Sequence, residues 1–300
     1  MSKNLKGSIM LLITSFIWGT AFVAQSDGMN YVEPFTYNAM RTLLGGFVLI
    51  PIILIFKAVG KRTGAPPLKY SLKNTVKGGI CCGIVLFIAS SFQQFGIAYT
   101  TTGKAGFITA LYIVLVPLLL GMILKKAVPL KMWLFVLIAV VGFWFLCINE
   151  DFRISKGDFL VLCCALFFAV HIIVVDHFIE QNTDGMLMSC IQFFTAAVFM
   201  LIGMFVFESP NIDSIIDAKI PVLYAGIMSS GVAYTMQILG QRYTAPTIAT
   251  LLMSLESVFA ALSGWLILHE KLSPKELCGC GLVFTAVILA QLVGEDRKKE

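Results

Sequence analysis

Ten stretches of this chain are apolar for about the length of a membrane crossing: approximately 7–26, 34–56, 76–98, 104–124, 130–148, 157–175, 186–207, 220–240, 246–268 and 274–293. A helix that spans the hydrocarbon core needs about 20 mostly apolar residues. No water is available there to satisfy backbone N–H and C=O groups, so a spanning segment of this length must bond internally as a helix. Composition agrees. The chain is 58% hydrophobic and only 13% charged, where a soluble domain carries about 25% charged residues. A water-soluble globule is excluded, and the expected fold class is an all-α integral membrane protein.

Several segments begin at proline (Pro34, Pro221, Pro246, Pro274), which has no N–H to leave unpaired in a first helical turn. Pro117 lies deep in the fourth segment and is expected to kink it. The first segment follows Lys3 and Lys6 as a signal peptide would. The nearest cleavage candidate, Phe22-Val23-Ala24, has a bulky residue where a small one is needed, so the segment reads as a retained helix. The loops leave no room for a soluble domain, and function must lie in the membrane or at its faces.

Tyr99–Leu124 recurs in degraded form as Tyr243–Leu268. Tyr99 meets Tyr243, Thr100 meets Thr244, Leu111 meets Leu255 and Ile123-Leu124 meet Ile267-Leu268. The same register pairs Gln93 with Gln237, Gly96 with Gly240 and Lys131 with Lys275. A repeat of this kind divides the chain into a first unit at 1–149 (segments one to five), a second at 156–293 (segments six to ten) and a tail at 294–300. Five segments per unit makes the second unit enter the membrane from the opposite side, so the expectation is ten transmembrane helices as two inverted five-helix repeats.

Lysine and arginine in the loops set orientation. One side holds 15 of them, including Lys3, Lys6, Lys57, Lys61, Arg62, Lys69, Lys73, Lys77, Lys125, Lys126, Lys131, Arg242 and Arg297–Lys299. The other holds 6: Lys104, Arg153, Lys156, Lys219, Lys271 and Lys275. Both termini are therefore expected in the cytoplasm of a multi-pass protein of the cell (inner) membrane.

Polar groups within the segments are expensive, about 2.5–3.5 kcal/mol for a central Arg or Asp on insertion scales, and so carry the functional candidates. Arg41 shares a helical face with Asn38 and Gly45 and suits a carboxylate anchor. Glu256 lies in the ninth segment, with Tyr112 as its repeat counterpart. His171 lies in the sixth, opposite Ala21 when Gly157 is laid on Gly7. Gln192 occupies the repeat position of Arg41. Polar stripes at helical spacing add Trp18 with Gln25, Ser90 with Gln94 beside Gln93, and Tyr234, Gln237 and Gln241. With both units contributing at matching depths, these stripes are expected to line a watery cavity. His177, at a helix end, reads as solvated.

The eight cysteines lie inside apolar segments with no Cys-x-x-Cys spacing, and read as small apolar residues. There is no His-Glu-x-x-His, no Gly-x-Ser-x-Gly and no phosphate-cradling loop. The sequence thus points away from an enzyme, a metal or cofactor site, and ATP-driven transport. It has no basic stripe with interleaved aromatics, and nucleic acid is not an expected partner.

Trp18-Gly19-Thr20-Ala21-Phe22, Arg41, Leu255-Glu256-Ser257-Val258 and His269-Glu270-Lys271-Leu272-Ser273 followed by Gly279 resemble, over nearly the whole chain, the EamA-like branch of the drug/metabolite transporter superfamily. Ser257 stands where the family carries proline, and Lys125-Lys126-Ala127 lacks the family's glutamate. The resemblance implies an inner-membrane carrier of amino acids, related metabolites, nucleobases or drugs, with a central cavity built from helices one to four and six to nine.

The residues and the resemblance together give one expectation: a secondary carrier of small polar, amino-acid-like metabolites, acting mainly in efflux by alternating access. The expected substrate-binding and translocation residues are Trp18, Asn38, Arg41, Gln94, Tyr112, His171, Gln192, Tyr234, Gln237 and Glu256. Arg41 would hold a carboxylate, Trp18, Tyr112 and Tyr234 would form walls, and Glu256 or His171 would carry a proton if protons are the coupling ion. The alternative is a proton-coupled exporter of lipophilic cations, with Glu256 as counter-ion. Partners are a small-molecule substrate and the lipid bilayer; two units that pair within one chain favour a monomer.

Overall fold

The computed structural model describes residues 3–62, 70–100, 102–122, 125, 129–147, 155–267 and 273–296. Lys69, Lys126, Arg153, the His269–Leu272 motif and Arg297–Lys299 lie outside them. The described residues are helical, with no strand among them, as backbone chemistry in a bilayer demands. Eight helical stretches are long and apolar enough to cross a membrane, and Leu130–Gly142 and Leu277–Leu289 are shorter apolar stretches.

The chain runs through α1 (Lys3–Gly28), α2 (Pro34–Arg62) and α3 (Leu72–Ile97), then α4 (Thr102–Ala110) and α5 (Tyr112–Met122), then α6 (Leu130–Cys147). After Ser155 come α7 (Lys156–Glu180), α8 (Gly185–Phe207), the short α9 (Ile212–Asp217) and α10 (Lys219–Leu223), a π-helical segment (Tyr224–Ala233), α11 (Tyr234–Gln241), α12 (Pro246–Met253), α13 (Glu256–Ile267) and α14 (Pro274–Asp296). The helix α14 takes in 294–296, which the repeat boundaries placed in the tail.

Polar caps start the helices after the loops. Ser155 caps α7 in a capping box with Asp158, whose Oδ1 also accepts from Thr100 Oγ1 at 2.5 Å. Asp184 accepts from Met186 N and Leu187 N at the start of α8. Each such bond satisfies a helix-end amide with no partner inside the helix.

Two expected helices are interrupted, and at the same register. The fourth segment breaks at Leu111, between α4 and α5. Pro117 lies inside α5, six residues after the interruption, where Leu111 N bonds back to Ile108 O in a tight three-residue turn. The ninth segment breaks at Ser254-Leu255, between α12 and α13, although serine replaces proline at 257. Ser254 Oγ there donates to the Leu251 carbonyl at 2.8 Å, a local bond that competes with helical pairing.

Packing pairs the two units. The contacts of α1 with α11 and α13 mirror those of α7 with α3 and α5, and α2 against the π segment mirrors α8 against α3. α2 packs on α8, and α6 on α14. Glycines set the closest crossings. A Cβ on Gly240 would lie 3.2 Å from the Gly7 carbonyl, and a Cβ on Gly96 3.0 Å from the Gly157 carbonyl. These are one crossing made twice, since Gly7 is the register partner of Gly157 and Gly240 of Gly96. Small residues at such points let backbones approach where lipid removes the hydrophobic drive for association.

Candidate functional site

Tyr112 and Glu256, the first residues of the helices that follow the two breaks, border one cavity. Its walls come from α1, α2, α3, α4, α5, α7, the π segment, α11 and α13. The cavity volume is about 30 Å³, room for about two waters. A metabolite does not fit this space and needs the walls to move apart.

Four pairs of register partners face this space. Trp18 and Phe168 form one pair, Phe22 and Ile172 a second, Gln93 and Gln237 a third, Tyr112 and Glu256 a fourth. The cavity thus lies where the two units' equivalent surfaces meet. Trp18 stacks obliquely on Tyr234, ring centroids 4.7 Å apart. A Cβ on Gly19 would lie 2.7 Å from the Glu256 backbone carbonyl, so α1 crosses the first turn of α13, and only a residue without a side chain lets it approach so closely.

Arg41 breaks the symmetry. It is 3% exposed, and its Nε donates to Asn38 Oδ1 at 2.7 Å. Asn38 is itself tied through Nδ2 to the Ser90 carbonyl at 3.0 Å, and the Tyr37 ring lies 5.9 Å from the guanidinium. With Nε held, the two terminal nitrogens form the fork that suits bidentate carboxylate. The register partner Gln192 turns away and meets His171 Nε2 with its Oε1 at 3.1 Å. The π segment contributes to this placement. A Cβ on Gly45, one turn after Arg41, would lie 2.6 Å from Ser230 Cβ, and Ser229 reaches the cavity wall. π segments are rare and concentrate at functional sites.

Glu256 is 3% exposed and its Oε1 has no hydrogen-bond partner. Tyr112 is its neighbour, yet the Tyr112 hydroxyl falls short of hydrogen-bond geometry. Arg41 and Glu256 share the cavity without forming an ion pair with each other. Trp18 Nε1, Gln25 Oε1 and Gln237 Oε1 are buried and unpartnered as well. A buried polar group left unpaired costs about 1–3 kcal/mol, so five such groups around one space mark a surface built to bind something polar.

The structure places the sequence candidates in two groups. Trp18, Arg41, Tyr112, Tyr234, Gln237 and Glu256 line the cavity. Asn38, Gln94, His171 and Gln192 do not. Asn38 holds Arg41, and Gln94 Nε2 donates to the Gln25 carbonyl at 3.2 Å, joining α3 to α1. His171 is 0% exposed and sits behind Tyr234, whose ring centroid is 6.0 Å away. No α8 side chain lines the cavity, contrary to the expectation of a wall from the seventh segment. His177 is exposed at the end of α7, where it meets Gln181. Phe22, Thr109, Phe168, Ile172 and Ser229 also line the space. They were not candidates because apolar and hydroxyl residues carry no signal against an apolar background, although the repeat register would have found Phe168 and Ile172 from Trp18 and Phe22. Among the described residues no group of His, Cys, Asp or Glu is arranged to hold a metal.

Residues 5–148 and 155–292 each match the EamA-like transporter family. The chain belongs to the EamA-like transporter family. An uncharacterized transporter of Archaeoglobus fulgidus is 30% identical over 97% of this chain and 87% of its own. The uncharacterized transporter YoaV of Bacillus subtilis is 21% identical over 96% and 97%. A solved crystal structure superposes with a TM-score of 0.76 at 18% identity, covering 97% of this chain and 98% of that one, a likeness of fold. The protein is a multi-pass membrane transporter of this family and not an enzyme.

Proposed function

We propose that this transporter is a secondary carrier of small polar, amino-acid-like metabolites, working mainly in efflux by alternating access. One observation carries the reading: Arg41 and Glu256, a guanidinium and a carboxyl group not paired with each other, face one cavity walled by Trp18, Tyr112 and Tyr234. A substrate bearing a carboxylate and an ammonium satisfies both ends at once, and each group loses its burial penalty on binding. The proposal includes ten crossings, the two short apolar helices completing two inverted units at 1–149 and 156–293, with both termini cytoplasmic. The repeated glycine crossings and the four register pairs around the cavity support it. Protons are the proposed coupling ion, with Glu256 as carrier; His171, which does not reach the cavity, is not proposed for that role. The carrier is proposed to act as a monomer in the inner membrane.

The aromatic setting of Glu256 favours one competitor, a lipophilic cation held by Glu256 alone. Thermal unfolding in detergent separates the two. An amino acid at about 100 times its Kd stabilises by about 2.7 kcal/mol, and its uncharged amide and decarboxylated amine do not. Stabilisation by hydrophobic cations, with none by any amino acid, replaces the proposal with its competitor.

A further inference from the structure

The helix α8 lines no part of the cavity, yet it is tied down at both ends by charged groups. It spans 23 residues, about 34 Å at 1.5 Å per residue. At its C-terminal end the Glu208 carboxylate reaches across to the first turn of α2. Its oxygens accept from Phe35 N at 2.7 Å, Thr36 N at 2.7 Å and Thr36 Oγ1 at 2.8 Å. A carboxylate on the positive end of a helix, with three donors, is a strong non-covalent tie. Beyond the other end of α8, Arg242 at the close of α11 donates from Nη2 to the Thr183 carbonyl and from Nη1 to Tyr70 Oη at 3.3 Å. The Tyr70 ring lies 5.2 Å from its guanidinium.

The two ties differ from the rest of the packing. The glycine crossings are made twice, once by each unit. The charged ties are not. In the register that lays Gln192 on Arg41, Glu208 falls on Lys57, and in the register that lays Gln237 on Gln93, Arg242 falls on Ala98. Each tie thus exists at one end of the molecule only, and each joins elements of both units: α8 to α2, and α11 with the start of α8 to Tyr70, two residues before α3. Both are made here, and the cavity has room for only about two waters.

We propose that Glu208 and Arg242 are the two latches of the transport cycle, one at each end of α8, and that each opens only when the cavity opens to its own side. This rests on the alternating-access reading above. A state tied at both ends opens to one side when one latch gives, and a weakened latch shifts the population towards that side. Exchanging the charged group for an amide leaves a neutral bond about half as strong, so the expected shift is about three- to tenfold, less than loss of the whole tie would give.

The test places one reporter in the wall, Ser229→Cys, in full-length protein whose eight native cysteines are replaced, reconstituted in one orientation. A membrane-impermeant maleimide is added to either side. Glu208→Gln is expected to raise labelling from the α2 N-terminal side about three- to tenfold and lower it from the other side. Arg242→Gln is expected to do the reverse, and the pair together to raise both. Thr36→Val and Tyr70→Phe, which trim one bond from each latch, give smaller shifts in the same directions. Labelling of the parent from both sides with no shift in any variant overturns the latches and leaves alternating access standing. No labelling of the parent from either side overturns both. If the cysteine-free protein does not fold, hydrogen exchange on the native-cysteine protein in nanodiscs decides. Glu208→Gln should speed exchange in Tyr224–Ala233, which the latch does not touch, and Arg242→Gln in 76–83. Faster exchange confined to 34–38 and 205–209, or to 70–74 and 182–186, shows local fraying and overturns the proposal.

Discussion

Tyr112 and Glu256 each begin the second half of an interrupted helix, and the two are neighbours in the wall of the cavity. They are register partners, so one position of the repeat supplies a phenol on one side and a carboxylate on the other. Glu256→Gln keeps size and hydrogen-bonding capacity and removes the charge. Counterflow of ammonium-bearing substrate should fall at least about tenfold, with the melting temperature held within a few degrees. Unchanged counterflow would remove Glu256 from the site. Tyr112→Phe should act in the same direction and more weakly.

Arg41 should read the carboxylate. Arg41→Ala is expected to lower the preference for a carboxylate-bearing substrate over its amide by about 10- to 100-fold, since a bond to a charged group contributes about 1.5–3 kcal/mol. Asn38→Ala should reduce the same preference by less, because it frees the guanidinium without removing it. Equal loss for acid and amide in both variants would make Arg41 structural.

His171 and Gln192 are buried partners that do not reach the cavity. His171→Leu leaves the Gln192 amide unpaired and should lower stability by about 1–3 kcal/mol, while transport by folded protein stays within about twofold. Loss of transport without loss of stability would restore His171 as a functional group.

Crossing glycines and open glycines should differ sharply. Gly96→Leu would drive a side chain into the Gly157 backbone and Val161, with a Cβ only 2.4 Å from Val161 Cγ2. It is expected to lower stability by about 1–3 kcal/mol or more and to reduce yield. Gly103 has no atom within 4 Å of its Cβ position, and Gly103→Ala should stay within about 0.5 kcal/mol. Thermal scans of the two variants check this.

Much of this architecture was legible because a bilayer narrows the choices. Long apolar segments must be helices, and charges among them stand out against a uniform background. That is why Arg41, Glu256 and Tyr234, which line the cavity, stood out as candidates in the sequence. The register also paired Leu111 with Leu255, and both helix breaks fall there. The breaks themselves were not legible. Pro117 gave no sign of the break at Leu111, and the absence of a proline at 257 gave no sign of the one at Ser254-Leu255. The π segment was equally hidden, since Tyr224–Ala233 has the composition of any apolar helix. Asn38, Gln94, His171 and Gln192 were sorted wrongly for one reason. Sequence gives depth in the membrane and helical face, but it does not say whether a polar side chain turns to a neighbour, as His171 does to Gln192, or faces a cavity, as Glu256 does.

The central claim is that one substrate bridges Arg41 and Glu256. Counterflow tests it most directly: proteoliposomes are loaded with an amino-acid mixture, labelled amino acids are added outside, and no pH gradient is imposed. The account predicts that one class of amino acid exchanges, and that Arg41→Ala and Glu256→Gln each abolish it. Absence of counterflow with every amino acid, in protein shown to be folded, would contradict it.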